Sequence, residues 1–218
     1  GIDLVFPHHE DEIAQSEAAT GKEFARCWCH GEFLLTDGAK MAKRVGNVQN
    51  VEGLKEAGIS GAAVRHFVFS THYRKQLNLS GDALEASVEG VRRIGDFAER
   101  LKDAKGGTRG LEDAADRLET AVRAALFDDL NAPEALASLY EFIRAANKEL
   151  DAGGSDASAL RRAREVFAMV NGVLDLVPDA VEADAELAAW VEGQLAARKD
   201  ARARRDFAAA DAIRAALD

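Results

Sequence analysis

Apolar residues recur every three or four positions from about residue 81 onward. This spacing places them on one face of a helix and predicts successive amphipathic helices. Glycines at 106–107 and 153–154 interrupt the pattern, and so does Asn131, a capping residue two positions before Pro133. Four helices with such short connections favour an antiparallel bundle. The apolar positions that define it are Leu84, Val88, Val91, Ile94, Phe97, Leu101, Leu118, Val122, Leu126, Leu136, Leu139, Ile143, Leu150, Leu160, Phe167, Val170 and Leu174.

The first 80 residues follow a different pattern. The apolar run Ile2–Phe6 predicts a buried strand that Pro7 ends, and Phe33–Thr36 predicts another. Short helices are predicted at Val51–Ala57 and Gly61–Ser70, the second with a core-facing stripe of Val64, Phe67 and Val68. The predicted fold is a small α/β part followed by a mainly helical bundle, predominantly α overall.

His8 and Glu12 are four residues apart at the predicted passage from strand to helix. On a helix this spacing puts both side chains on one face. An imidazole and a carboxylate so placed are two of the four ligands that zinc needs, although a surface His–Glu pair has the same spacing. A His-Glu-x-x-His pattern is absent, which excludes the metalloprotease motif.

Cys27, Cys29 and His30 raise a second zinc hypothesis. Alternation at Cys27–His30 predicts a strand with both thiols on one side and with Trp28 and His30 on the other. Free cysteine also packs as a small apolar residue, so a structural role for the two thiols stays open.

Lys40, Met41, Ala42, Lys43 and Arg44 form a basic segment after the turn at 37–38 and before a glycine at 46. Lysines are compact charges suited to a phosphate chain. With the stretch from Pro7 to Glu17, this segment closely resembles the second half of cysteinyl-tRNA synthetase. Ser70–Arg74 and Phe127–Ala135 are similar to the same family, so the resemblance runs in order along nearly the whole chain.

This resemblance implies a class I ligase that joins cysteine, by way of ATP with Mg, to tRNA(Cys). It implies zinc bound by His8 and Glu12 with two cysteines from an upstream half, and catalytic roles for Lys40 and Lys43, the latter at ATP. The family's usual Lys-Met-Ser-Lys-Ser is altered here at Ala42 and Arg44, which removes two hydroxyls.

The resemblance also divides the chain into four segments. The expected domains are 1–47, the end of a Rossmann-type catalytic domain; 48–80, a segment that contacts the tRNA acceptor stem; 81–178, a DALR-type anticodon-binding bundle; and 179–218, the start of a small C-terminal domain. We therefore expect a fragment that is inactive by itself. A mycothiol-type cysteine ligase and a non-catalytic RNA-binding module are the alternatives.

Charge limits the possible partners. The net charge is −10, with 9 Lys and Arg against 10 Asp and Glu in residues 1–80 and 19 against 28 in residues 81–218. An acidic body disfavours general nucleic-acid binding and requires any RNA contact to be local. The candidate basic patches are Arg92–Arg93, Arg161–Arg164 and Arg198–Arg205, although such a patch is more often just a solvated helix face. The lack of a long apolar run predicts no membrane span, and two cysteines, too few for a disulfide framework, favour the reducing cytoplasm. We also expect a monomer.

Overall fold

The structure is a computed structural model that describes residues 1–36, 38–40, 50–177, 185–204 and 206–217. Helices dominate it, as predicted. The helices are α1 Glu10–Thr20, α2 Val51–Glu56, α3 Gly61–Phe69, α4 Gly81–Asp103, α5 Arg109–Phe127, α6 Ala132–Ala152, α7 Ala157–Leu174, α8 Ala185–Ala203 and α9 Phe207–Leu217. The strands are β1 Leu34–Thr36, β2 Ala39–Lys40 and β3 Leu77–Leu79.

Side-chain caps fix where the helices of the central region begin. The Asn131 carboxamide accepts the Glu134 N–H at 3.3 Å, which confirms the predicted cap of α6. Polar side chains before α2, α3, α4, α5 and α7 act in the same way: Asn50, Ser60, Ser80, Thr108 and Asp156. Each cap satisfies a backbone donor that the first helical turn leaves without a partner.

Helices α4 to α7 share one core, which confirms the predicted bundle. Phe97 lies at its centre, with edge-to-face contacts to Phe142 at 5.6 Å and to Phe167 at 5.4 Å between ring centroids. Leu139 and Phe167, both predicted to be in the core, are 3% and 8% exposed. The prediction for Val88 is wrong, because its side chain is 41% exposed, at the edge of the apolar face of α4.

Residues 104–108 connect α4 to α5, and residues 153–156 connect α6 to α7. These two connections contact each other through backbone atoms. Gly107 and Asp156 exchange both N–H···O bonds, at 2.9 and 3.1 Å. A Cβ added at Gly154 would lie 2.0 Å from the Gly107 carbonyl oxygen, so the predicted glycine breaks are also close-approach points.

The α/β part is a three-stranded sheet in the order β2-β1-β3. Strand β1 confirms the prediction at 33–36; it pairs with β2 antiparallel and with β3 parallel. Helix α3 packs on α4, and Phe67 of α3 lies in a small core with Leu79 and Leu84.

Three local predictions in this part are wrong. Ile2–Leu4 is a short 3-10 helix and Val5–His9 an irregular helical turn broken at Phe6, since Leu4 N–H bonds back to Gly1 instead of joining a strand ladder. A short apolar run does not distinguish a strand from a helical turn. The Cys27–His30 segment is also irregular, and Val68 is 47% exposed instead of lying in the core.

The chain forms two compact units, residues 1–178 and 179–218. In the second unit α8 packs against α9. No helix in the described ranges is both long and apolar enough to cross a membrane.

Candidate functional site

The two predicted zinc ligands lie beside each other at the start of α1. His8 Nε2 is 3.9 Å from Glu12 Oε1, and the two side chains are 60% and 45% exposed. The separation leaves the lone pairs of both groups available, and the donor chemistry of imidazole and carboxylate suits zinc. Among the described residues, no group of three or more His, Cys, Asp or Glu side chains could hold a metal ion. By its donor types and spacing the pair fits as part of a zinc site, and its metal role stays a prediction.

The neighbouring His9 belongs to an aromatic cluster with Trp28 and His30. His9 Nδ1 lies 2.9 Å from His30 Nε2, so one ring donates to the other. The Trp28 ring stacks on both, with centroids 5.2 Å from His9 and 5.9 Å from His30. Sequence reasoning noted Trp28 and His30 but not their contact with His9, because nothing in the local pattern links positions 21 residues apart.

The thiols of Cys27 and Cys29 are free and exposed. In the part of the chain that is described, they do not join the histidines in a metal-binding group. Cys29 instead lines an apolar pocket of about 950 Å³ with residues of β3, α2, α3 and α7, among them Val51, Val68 and Val173. The exposed Val68 side chain thus faces a cavity.

Lys40 ends β2, where its backbone pairs with Leu35 of β1. A side chain of β3 fixes the turn before it, because the Gly38 N–H donates to Asn78 Oδ1 at 2.9 Å. Gly38 has φ +79°, a conformation that glycine adopts readily. Lys43 and most of the predicted phosphate-binding loop lie outside the described residues.

An ionic cluster joins the segment after α3 to the turn before α6. The Asp129 carboxylate accepts hydrogen bonds from the Tyr73 hydroxyl and from Arg74, whose second contact to it measures 3.1 Å. His72 Nε2 lies 3.9 Å from the same carboxylate. The bonds from Arg74 and Tyr73 lower the pKa of Asp129 to about 2, and the bond to Asp129 raises the pKa of Tyr73 to about 12. Asp129 is therefore ionised and Tyr73 protonated at neutral pH.

Two further polar contacts attach α3 to the bundle. Arg65 donates to the backbone oxygen of Asp175 at 2.8 and 2.9 Å and pairs with its carboxylate. His66 Nε2 lies 2.8 Å from the Tyr140 hydroxyl. His66 is buried, and its desolvation lowers the pKa of the imidazole.

The structure distinguishes between the three basic patches. Arg92 and Arg93 pair with Glu89, and Arg162 pairs with Asp116 and Glu119. Arg164 donates to backbone oxygens at the end of α4, where it satisfies carbonyls without helical partners.

The third basic patch lies in the second unit and has fewer ion pairs among the described residues. Lys199, Arg202 and Arg204 are exposed and form no ion pair with any other residue that the structure describes. Arg205 lies outside that part of the chain. The patch around α8 therefore offers more free cations for a polyanion than the two patches of the bundle.

Comparison with known families explains why these elements occur in this order. Residues 1–89 match the family model described as tRNA synthetases class I (C) catalytic domain, and residues 121–177 match the DALR domain. The chain thus combines the end of a class I synthetase catalytic domain with a helical DALR domain.

The similar proteins compared below are all named cysteine–tRNA ligase, which is more specific than the descriptions of the two domain families. The chain is 40% identical over 217 residues to a protein of Solibacter usitatus named cysteine–tRNA ligase, a match covering 98% of this chain and 47% of that protein. It is 43% identical to the cysteine–tRNA ligase of Micrococcus luteus, over 100% of this chain and 46% of that one. A third, from Chlamydia abortus, is 35% identical over 92% of this chain and 43% of its own length.

The chain belongs to the cysteinyl-tRNA synthetase family, and the resemblance inferred from the motifs is confirmed. It spans about half the length of the curated relatives it matches. These matches do not favour the mycothiol-type ligase or the non-catalytic module.

Proposed function

We propose that this chain supplies part of a cysteine–tRNA ligase, an enzyme that activates cysteine with ATP and transfers it to tRNA(Cys). The observation that carries the proposal is the His8–Glu12 pair, exposed on one face at the start of α1, within a region that matches a class I catalytic domain. In this proposal the enzyme works in the cytoplasm as a monomer.

His8 and Glu12 would hold the zinc ion together with two cysteines from outside this chain. Zinc prefers thiolate sulfur to a neutral hydroxyl, and this preference would separate cysteine from serine, a pair that dispersion contacts alone discriminate poorly. His9, engaged with His30 and Trp28, would form a wall of the same site without binding the metal.

Lys40 and Lys43 would bind ATP, which enters with Mg. Lys43 would stabilise the negative charge that develops on the α-phosphate and on pyrophosphate as it leaves. Arg44 could supply a further cation where the family commonly has serine. Strands β1, β2 and β3 support this role, because they fix the backbone from which the loop starts.

Metal analysis tests the zinc proposal. The 218-residue chain should lose zinc to a mild chelator during gel filtration, since two ligands hold the ion weakly, whereas an enzyme as long as the relatives should retain one equivalent. His8→Ala and Glu12→Gln should abolish that retention, and His9→Ala should not. Firm retention by the 218-residue chain that disappears in a Cys27→Ala/Cys29→Ala variant would contradict the proposal.

Cysteine-dependent pyrophosphate exchange tests the role of Lys43. In the longer enzyme, Lys43→Ala should slow exchange by roughly 10²- to 10³-fold, the scale of losing one donor to the transition state, with cysteine binding nearly unchanged. Lys22→Ala, which removes a lysine just after α1, is the matched control. Exchange within about twofold of wild type for Lys43→Ala would exclude this role.

RNA binding tests the proposed partner. Arbitrary RNA should bind weakly and be released near physiological salt, because a net charge of −10 leaves only local cationic patches. Replacing Lys199, Arg202 and Arg204 with alanine should weaken binding of tRNA(Cys), whereas the same change at Arg92 and Arg93 should have little effect because both already pair with Glu89. Equal losses for both sets would contradict this assignment.

A further inference from the structure

The turn between α5 and α6 contains two consecutive residues in the left-handed region. Asp129 has φ +54° and Leu130 has φ +55°. Residues with a Cβ disfavour this region, so two in succession persist only where surrounding contacts require them. Backbone bonds tie the turn to α5, where the Asn131 N–H donates to the Ala125 carbonyl at 3.0 Å. From outside the bundle, the Asp129 carboxylate adds its bonds with Tyr73 and Arg74.

Tyr73 and Arg74 lie in a segment with backbone bonds to the residues around β1. The Tyr73 carbonyl accepts the Glu32 N–H at 2.8 Å, and four residues later the Leu77 N–H donates to the Phe33 carbonyl at 3.1 Å. Strand β3 begins there and pairs with β1 along its whole length.

From β3 the contacts continue to Lys40. Asn78, in the middle of β3, accepts the Gly38 N–H in the turn between β1 and β2. Lys40 ends β2. A continuous series of hydrogen bonds thus leads from the turn before α6, in the helical bundle, to the residue where the predicted phosphate-binding loop starts.

We propose that Asp129 is a positioning residue of this enzyme: by holding Tyr73 and Arg74, it fixes segment 71–79, and through β3 it fixes the β1–β2 turn that leads to Lys40. The geometric part of this proposal depends only on the contacts above. The consequence for ATP chemistry rests on the proposed function.

Hydrogen–deuterium exchange on the 218-residue chain tests the geometric part. Asp129→Asn keeps the shape but removes the charge that holds Arg74, so exchange should become several-fold faster in peptides covering 31–40 and 71–79. Peptides of α6 and α7 should not change. Tyr73→Phe, which removes one of the donors and keeps the ring, should give a smaller effect in the same peptides.

Asp113→Asn is the matched control, because Asp113 is a similarly exposed carboxylate that pairs with an arginine, Arg109, within α5. It should leave both peptides unchanged. Unaltered exchange at 31–40 in the Asp129→Asn variant, or faster exchange throughout the chain, would overturn the positioning role.

Kinetics in an enzyme as long as the relatives test the functional part. Asp129→Asn should lower kcat for pyrophosphate exchange and leave the KM for cysteine unchanged, because the loop is displaced while the cysteine site is intact. Local loosening with unchanged kcat would overturn the link to catalysis. A wild-type enzyme that shows no cysteine-dependent pyrophosphate exchange would instead contradict the proposed function. The hydrogen–deuterium exchange result on the 218-residue chain would still stand.

Discussion

Replacing Gly90 with alanine tests how tightly α3 is joined to the bundle. Gly90 is a buried position in α4 that faces the hydrogen bond between His66 of α3 and Tyr140 of α6. An added Cβ would lie 2.6 Å from the Tyr140 hydroxyl and 2.8 Å from His66 Nε2. Since the two side chains bond to each other, neither can move away without weakening that bond.

Two opposing effects set the change in the free energy of unfolding for Gly90→Ala. Alanine is favoured over glycine inside a helix by about 1 kcal/mol. Overpacking a buried position costs about 1–3 kcal/mol, and the loss of a neutral hydrogen bond about 0.5–1.5 kcal/mol. Gly90→Ala should therefore lower the free energy of unfolding by roughly 0.5–3.5 kcal/mol in spite of its better helix propensity.

Gly172→Ala is the control, since Gly172 lies in α7 with no atom within 4 Å of an added Cβ. This variant should gain about 1 kcal/mol from helix propensity alone. When the free energies of unfolding of the two variants are compared, the contribution of helix propensity cancels. The remaining difference is the steric effect at His66 and Tyr140. Urea denaturation followed by circular dichroism measures it, and equal midpoints for the two variants would refute the reasoning.

Three further predictions concern stability. Leu139→Ala and Phe167→Ala should cost about 2–5 kcal/mol each, because both side chains are buried in the bundle; urea midpoints that barely move would contradict that packing. Asn131→Ala should cost about 1 kcal/mol, measurable in the same way, since it removes the cap of α6; a conservative Asn131→Ser should recover most of the loss. For His66, burial lowers the pKa in the folded protein, so the unfolded chain binds a proton first as pH falls. Stability should therefore decline from about pH 6.5 downward until the folded pKa is reached, and His66→Gln should flatten this part of the curve. An unchanged slope in His66→Gln would assign the pH dependence to other groups.

The acidic end of the same curve has a different origin. Arg92 and Arg93 lower the pKa of Glu89 to about 2, and Arg74 and Tyr73 lower that of Asp129 to about 2. Carboxylates with lowered pKa values contribute stability above their unfolded pKa, near about 4, and lose it as pH falls toward the folded value. The stability contributed by these carboxylates is therefore lost at lower pH than the stability that depends on His66. The two contributions can be separated along the pH curve.

Local patterns were informative wherever structure depends on neighbours in sequence. Helical spacing identified α4 to α7, and Asn131 with Pro133 located the start of α6, because amphipathic faces and caps are built from residues a few positions apart. The spacing of His8 and Glu12 predicted their common face for the same reason. The same reasoning failed at Ile2–Phe6, where a short apolar run is compatible with either a strand or a turn.

By itself, the sequence determined the family, the helices of the bundle and the spacing of the predicted zinc ligands, since all of these are encoded in short stretches of chain. Only the tertiary structure decided that His9 contacts His30, that Asp129 holds Tyr73 and Arg74, and that Arg162 is paired with acidic residues of α5. These contacts join residues 21 to 56 positions apart. Their formation depends on how the helices and strands pack, which no local periodicity specifies.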